Sequence, residues 1–447
     1  MFKKILVANR GEIALRIIRA CRELEIRTVA VHSDVDRDSL HVSEADESFC
    51  IGPGPAGQSY LNIHNLISAA RVARAEAVHP GYGFLAENAD FVEICRDSGL
   101  VFIGPSAQAM RLMGDKAMAR RTAIEAKVPV LPGTSEIQDL SEAHAFAKEA
   151  GFPVMIKAAA GGGGKGMRIA RDESELEKLF TTAQLEAEAA FGDGRVYLEK
   201  FLPQARHVEI QVLADGHGNV IHLGERDCSL QRRNQKLVEE SPSPILSPER
   251  RQQMGEMAVA AARAVDYTGV GTVEFLLDPR GQSFYFLEMN TRIQVEHPVT
   301  ELVTGLDLVK LQIQGAAGEH LPLTQEQVVM RGAAVECRIN AENPEEGFRP
   351  SFGKVHYVHF PGGPGVRIDS HLYSGAMVQP YYDSLLAKVI TYGATRDEAL
   401  ARMARLLGEM KVEGVSTTID FQRQLILHPR FRQGDVHTTF VETEFLA

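Results

Sequence analysis

From Phe286 to Pro298 the chain reads FLEMNTRIQVEHP, with a charged or amide side chain at every second position from Glu288 onward. In an extended segment successive side chains point to opposite faces, so Glu288, Asn290 and Arg292 share one face, and Gln294 and Glu296 follow if the geometry persists. Leu287, Met289, Ile293 and Val295 point the other way. An exposed edge strand would carry the same pattern. The preceding segment, Thr272 to Leu277, bears one acid, Glu274, and is followed by the turn residues Asp278, Pro279, Arg280 and Gly281. A hairpin with Asp278 opposite Phe284, to within one residue, sets Glu274 opposite Glu288. Like charges about 5 Å apart across a ladder destabilise it unless a cation lies between them. Glu274, Glu288 and the Asn290 carbonyl are hard oxygen donors suited to Mg²⁺ or Mn²⁺, with positions left for water and phosphate.

Several elements must hold these groups. Ile5–Ala8, Thr28–Val31, Ala77–Val78 and Val101–Ile103 are short apolar strands separated by helical patterns, which predicts a parallel sheet. Ile13, Ile17, Cys21 and Leu24 recur at helical spacing, with Arg16, Arg19 and Glu23 on other faces, so Asn9 to Glu12 form a strand-to-helix turn of the kind that binds anions and substrates. After Lys116 a helix runs to Ala126, and Pro132-Gly133 marks a hinge into a smaller unit. There, Phe152–Lys157 and Met167–Ala170 flank a glycine-rich loop, and Val196–Leu202 forms a further strand. His207, Glu209 and Gln211 alternate with Val208, Ile210 and Val212 before a turn at Asp215–Gly218. From about residue 331 the sequence becomes β-rich and closes with an amphipathic helix over Asp397–Met410.

The loop after Ala160 holds four consecutive glycines, then Lys165 and Gly166. Such a stretch is a linker, a structural turn or a phosphate cradle. Held between two strands, its bare backbone N–H groups are able to close over a phosphate chain. It is not a Walker A loop, because Ala159 and Gly166 stand where that motif needs glycine and a hydroxyl residue. Gly81-Tyr82-Gly83-Phe84-Leu85-Ala86 matches a dinucleotide fingerprint only superficially, since it comes late in the sheet and its aromatic fill suits a substrate loop. Met410-Lys411 resembles the centre of a biotin-attachment site, but it ends an amphipathic helix and reads as a solvated helix end.

The bulk properties narrow the class. A chain of 447 residues with 44% hydrophobic composition suits two to four globular domains. Its net charge of −11 disfavours nucleic-acid and anionic-membrane surfaces. Five scattered cysteines imply neither a disulfide framework nor a zinc site and fit a reducing cytoplasm. The apolar run at the N-terminus stops at Ala8, too short for a signal peptide, and no stretch approaches the roughly 20 residues of a membrane span.

Together, Lys116, Lys157, the glycine loop, Glu199 to Leu202, Glu274, Glu288 and Asn290 resemble the ATP-grasp superfamily. Asn9–Ala14, His79–Leu85, Glu225–Ser229, Gln231–Arg233 and the run through His297-Pro298 narrow the resemblance to the biotin carboxylase family, over effectively the whole chain. That resemblance implies an α/β, ATP-grasp fold: an N-terminal Rossmann-like parallel-sheet domain over 1–113, an ATP-grasp domain over 114–330 with a mobile glycine-rich lid at about 131–203, and a β-rich C-terminal domain over 331–447. It implies that Lys116 and Lys157 contact ATP phosphates, that Gly163 and Gly164 cover the nucleotide, that Glu199, Lys200, Phe201 and Leu202 meet the adenine edge, and that His207 and Asn234 help hold it. Glu274, Glu288 and Asn290 become the Mg²⁺ or Mn²⁺ ligands. Lys236, Arg292 and the Val295 backbone bind bicarbonate, and Glu296 deprotonates it. Arg292 would also keep Glu296 ionised. Tyr82 and Gly83 line the biotin pocket, Gln294 is a further substrate contact, and Arg338 stabilises negative charge on the ureido oxygen of biotin. The bland alternative for Arg338 is a structural pair with Glu336. By the same resemblance carboxyphosphate forms, then breaks to CO₂ and a phosphate that takes the biotin N1′ proton.

Two positions depart from the family pattern: Asn234 replaces a common histidine, and Ala160 replaces a glycine that often begins the loop. Cys228 receives no catalytic role. The implied partners are a separate biotin carboxyl carrier protein and carboxyltransferase subunits, as in freestanding acetyl-CoA carboxylase components, with a homodimeric cytoplasmic assembly. The sequence, as given, carries no attachment or transferase segment. Competing readings are a component of another acyl-CoA, pyruvate or urea carboxylase, a different ATP-grasp ligase, or a nucleotide-sensing binding protein.

Overall fold

A computed structural model describes residues 1–158 and 167–446. Gly163 and Gly164 lie outside the described residues. The N-terminal sheet is parallel, in the order Glu47–Cys50, Arg27–His32, Lys4–Val7, Ala77–His79, Val101–Phe102. Its central strand is buried on both faces, as a doubly covered parallel sheet requires: Ile5 and Val7 pack on Ile13, Ile17 and Cys21, and Leu6 on Val29, Val31 and Phe91. All four expected strands are present. The edge strand Glu47–Cys50 alternates half-buried and exposed residues and has no apolar run to betray it. The helix Gly11–Glu23 also differs from expectation in one residue: Arg16 is buried, because Glu301 and Asp307 meet it at 3.0 and 2.6 Å.

A three-stranded antiparallel sheet follows, Arg168–Ala170, Val154–Ala158, Val196–Lys200. The helices Leu140–Ala150 and Glu173–Phe191 pack on it through Ala143, Ala147, Leu176 and Phe180. Asp139 and Asp172 cap the two helices by accepting backbone N–H bonds.

The central element is an eight-stranded sheet, antiparallel throughout. Its order is Phe284–Asn290, Gly269–Leu277, Arg206–Ala214, Val220–Arg232, Gln235–Ser241, Ala333–Asn340, Leu385–Gly393, Val366–Ser370. The sheet therefore runs unbroken across residue 331. Val208, Ile210, Val212, Val273 and Phe275 bury one face against Met254, Ala258 and Ala261 of the helix Pro248–Arg263. Farther along, Val335, Cys337, Ile339 and Val389 pack on Leu400, Met403 and Leu407 of the helix Arg396–Glu409. The alternate residues of these strands carry charge on the opposite face.

The hairpin of Gly269–Leu277 with Phe284–Asn290 has a bulge. Leu277, not Asp278, lies opposite Phe284, yet Glu274 is opposite Glu288, because Leu287 is an extra residue between the Phe275–Phe286 and Glu274–Glu288 pairs. The bulge also changes which residues share a face: Phe284, Phe286 and Met289 all enter the core, leaving Glu288 and Asn290 on the other side. Alternation does not continue beyond Asn290, where the strand ends. Thr291 to Val295 form a turn, and His297-Pro298 starts the helix His297–Thr304, proline being tolerated in a first helical turn.

The C-terminal region continues past the expected last helix into the strand Lys411–Glu413 and the helix Ile419–Leu427. Lys411 pairs with His359 in a small ladder instead of ending the helix in solvent. Among the described residues no helix is long and apolar enough to cross a membrane.

Candidate active site

Adjacent strands of the central sheet set His207, Glu209, Glu274 and Glu288 in rows, with Glu274 flanked by Glu209 on one side and Glu288 on the other. Acids so close together would repel strongly, and the cation that bridges Glu209, Glu274 and the nearby Glu296 is Lys236. Its ammonium donates to Glu209 at 2.6 Å, Glu274 at 2.8 Å and Glu296 at 2.7 Å. An ammonium has three N–H donors, so all are engaged. The fully buried Arg226 holds the far side of the cluster, bonding Glu209, Gln211, Thr272, Thr300 and Gln294. Gln294 in turn donates to Glu274 at 2.8 Å.

Glu296 receives Lys236 on one carboxylate oxygen and Arg338 on the other, the latter at 2.9 Å. Burial pushes its carboxyl up, but Lys236 and Arg338 outweigh burial and the nearby Glu209, so it lies below the usual range and is ionised at neutral pH. Lys236 and Arg338 bond Glu296 directly, whereas Arg292 acts on it through its charge alone, Glu296 being among the acids that raise the Arg292 pKa. Arg292 is instead held by Glu87 at 3.0 Å, by the Asn290 oxygen at 3.0 Å and by the Ile293 carbonyl. Arg338 also donates to Glu239 at 2.6 Å. It makes no pair with Glu336, whose two buried oxygens have no hydrogen-bond partner among the described residues.

The expected metal ligands come together. Burial and then the neighbouring Glu274 raise the Glu288 carboxyl, with Lys116 offsetting part of the effect. Glu274 itself is driven well down by Lys236 and His207 in spite of its burial. A pair with one carboxylate resisting ionisation fits a divalent cation, which would relieve it. Asn290 bridges the site, donating to Glu274 at 2.9 Å while its oxygen accepts from Arg292. That oxygen has a second lone pair, which is available to a metal.

His207 is buried, with Glu274 at 3.1 Å; burial pulls its pKa down, but Glu274 and Glu209 raise it to about 9 against the opposing charge of Lys236. Lys157 and Glu199 form a short ion pair with each other, Arg120 adding a contact to Glu199 at 3.4 Å. Lys200 binds the carbonyls of Gly151 and Phe152, so its side chain braces the small sheet, while Phe201 and Leu202 are half-buried beside it. Lys116 is exposed at the first position of its helix. Arg233 and Asn234 form the two-residue turn between Val220–Arg232 and Gln235–Ser241, with φ of +49° and +66°. Asparagine tolerates that left-handed geometry, which gives it a conformational reason to stand there. Cys228 is buried beside Glu209 and Glu296, and burial pushes its thiol well up, consistent with no catalytic role.

Tyr82 and Gly83 sit on a turn fixed from the N-terminal strand. Asn9 donates to the carbonyls of Pro80 and Tyr82, both at 2.7 Å, and Gly81 lies so close to Ile13 and Asn9 that a Cβ would fall 2.9 and 3.0 Å from their atoms. The Tyr82 hydroxyl donates to Glu12. Tyr82 and Gly83 line a pocket with Glu12, Tyr382 and Asp383. Sequence reasoning missed Glu87, Glu239 and Arg226 as supports of the site. Glu209 was visible in the polar half of an alternating strand, whereas Glu87 lies in a turn whose contacts are more than two hundred residues away.

The chain matches three family models: "Biotin carboxylase, N-terminal domain" over residues 1–110, "Carbamoyl-phosphate synthase L chain, ATP binding domain" over 115–324, and "Biotin carboxylase C-terminal domain" over 336–443. It is 59% identical to biotin carboxylase 1 of Bacillus subtilis (strain 168), covering 99% of each chain. Among solved structures, a biotin carboxylase–β,γ-ATP complex from Campylobacter jejuni matches with TM-score 0.95 and 46% identity, over 99% of each chain. The biotin carboxylase domain dimer of the Hydrogenobacter thermophilus 2-oxoglutarate carboxylase, in complex with MgADP, ADP and bicarbonate, matches with TM-score 0.93 and 49% identity, over 99% of this chain and 98% of that one.

Proposed function

The chain belongs to the biotin carboxylase family, and from that premise we propose how its residues carry ATP-dependent carboxylation of biotin by bicarbonate. The observation that carries the reading is the ionised Glu296 between Lys236 and Arg338. Because every donor of Lys236 is engaged, bicarbonate must displace one of its acids to bind. When Glu296 is the one displaced it loses a cationic neighbour, its proton affinity rises, and it becomes a better base for the bicarbonate now bound beside it. Bicarbonate then transfers its proton to Glu296 while its oxygen attacks the γ-phosphorus; the β–γ bridge breaks to give ADP and carboxyphosphate. Bound at Glu274 and Glu288, with Asn290 beside them, Mg²⁺ or Mn²⁺ would neutralise charge on the phosphates. Lys116 and Lys157 serve the same charge from the protein side.

Carboxyphosphate breaks to CO₂ and phosphate, the phosphate takes the biotin N1′ proton, and N1′ attacks CO₂. Arg338 holds the ureido oxygen as it becomes negative. Tyr82 and Gly83 bound that end of the site, while Arg292 and the Val295 backbone hold bicarbonate and Gln294 supports the substrate side. His207 and the Glu199–Leu202 segment, with Asn234 at its turn, meet the nucleotide. We place the chain in acetyl-CoA carboxylase as a homodimeric cytoplasmic subunit serving a separate biotin carrier and carboxyltransferase, with divisions at 1–113, 114–330 (lid at about 131–203) and 331–447.

The test is ADP release from Mg²⁺-ATP with bicarbonate, with and without free biotin. Bicarbonate-dependent turnover that rises with biotin supports the reading; turnover requiring ammonia or an amino acid overturns it. Arg338→Ser should slow biotin carboxylation at least tenfold while the ATP KM changes less than threefold, and equal loss of both would remove Arg338 from its role.

A further inference from the structure

Lys388 lies on the strand Leu385–Gly393, directly across the ladder from Arg338, and has no solvent exposure. Removing an ammonium from water is costly, so its partners define what it does. Its Nζ donates to the Val295 carbonyl at 3.0 Å and lies 3.2 Å from Glu12 Oε1 and 3.8 Å from Asp369. Asp369 has its own partner in Arg367 at 2.7 Å, leaving Val295 and Glu12 as the nearer groups. The same Glu12 oxygen accepts the Tyr82 hydroxyl. One buried cation from the C-terminal region thus contacts the turn between Asn290 and Glu296 and, through one carboxylate, the aromatic ring at the other side of the site.

We infer that Lys388 is a positioning residue for the carboxylation reaction, fixing the Val295 peptide plane for bicarbonate and, through Glu12, the Tyr82 ring for biotin. This rests on the functional reading above. The physical argument is geometric. A peptide presents its N–H and C=O on opposite edges of one plane. The Val295 carbonyl shares its plane with the Glu296 N–H, so a charged bond to it fixes the Val295–Glu296 peptide and the backbone that carries Glu296. A hydrogen bond to a charged donor is roughly twice as strong as a neutral one, enough to hold a short turn in one arrangement. The competing role is purely structural: an ion cluster joining the helix Gly11–Glu23 to the C-terminal sheet.

Steady-state kinetics of the full chain separates the two. Lys388→Met keeps the aliphatic stem and removes the charge. Burial already pushes the Glu12 carboxyl up and Lys388 pulls it down, so without Lys388 it is free to protonate. The double variant Lys388→Met/Glu12→Gln removes the uncompensated acid at Glu12. In whichever variant folds, the KM values for bicarbonate and for free biotin should rise about tenfold, with the ATP KM within twofold of the unsubstituted chain. A structural role would instead lower thermal stability and the active fraction and leave all three KM values alone. Unchanged bicarbonate and biotin KM values in a folded variant overturn the inference, and so does failure of both variants to fold, which would assign Lys388 to stability. If the unsubstituted chain lacks bicarbonate-dependent turnover, the functional reading fails first and takes this inference with it; if that chain is active, only the Lys388 assignment is at stake.

Discussion

Glu296 has two oxygens and two cationic partners, so its replacement separates charge from shape. Glu296→Gln keeps the volume and removes the base, and bicarbonate-dependent ADP release should fall about 10²- to 10⁴-fold while the ATP KM changes little; steady-state kinetics reads both. Behind Arg338, Glu239 is fully buried, and burial raises its carboxyl to about 7 although Arg338 pulls it down. The folded protein therefore holds that proton through a range in which an unfolded glutamate has released it. Its contribution to stability is present below the ordinary glutamate pKa and is lost as pH rises through about 7, by roughly 3 kcal/mol in all. Denaturant titrations between pH 4 and 8 should show this slope, and Glu239→Gln should flatten it.

At the scale of elements, the bulge at Leu287 decides which face Glu288 occupies. Deleting Leu287 removes only the extra residue: Glu288 then follows Phe286 directly, stays opposite Glu274 and keeps its face, as do Met289 and Asn290. It is a ladder that kept Leu287 without the bulge that would set Glu288 opposite Val273, in the layer of Phe275 and Val208, where an unpaired carboxylate is not tolerated. The deletion and Leu287→Ala should therefore both fold with a cooperative transition, and circular dichroism of the two checks it; an unfolded deletion variant would show that the bulge itself, not the faces, is required. The sequence placed Glu274 opposite Glu288 through a register wrong by one residue at the turn, and the bulge cancelled the error. A bulge of this kind has no composition signature: Leu287 is an ordinary strand residue, and only packing of Phe286 and Met289 on one core demands it.

For the whole molecule, Arg16 ties the N-terminal sheet to the segment that follows the site. It meets Glu301 and Asp307, and Glu301 also meets Arg367 at 2.6 Å, so three distant parts of the chain converge there. Arg16→Met should lower stability by roughly 2 kcal/mol, less than for an isolated buried pair because Arg367 remains with Glu301. Thermal or urea unfolding measures the loss.

What the sequence determined by itself was local and periodic. Strand alternation marked Glu274, Glu288 and Asn290, helical spacing built the helix over Gly11–Glu23, and the motifs from Asn9 to Pro298 placed the chain in its family. These features follow from backbone geometry repeated over a few residues. Tertiary structure alone decided which cations serve which acids. Lys236, Arg226, Arg338 and Lys388 are far from most of their partners in the chain, and Arg292, expected to keep Glu296 ionised, acts on it through its charge while its bonds go to Glu87, more than two hundred residues away. A charge buried away from water must be compensated by whatever the fold brings beside it, and that neighbour has no fixed distance along the sequence.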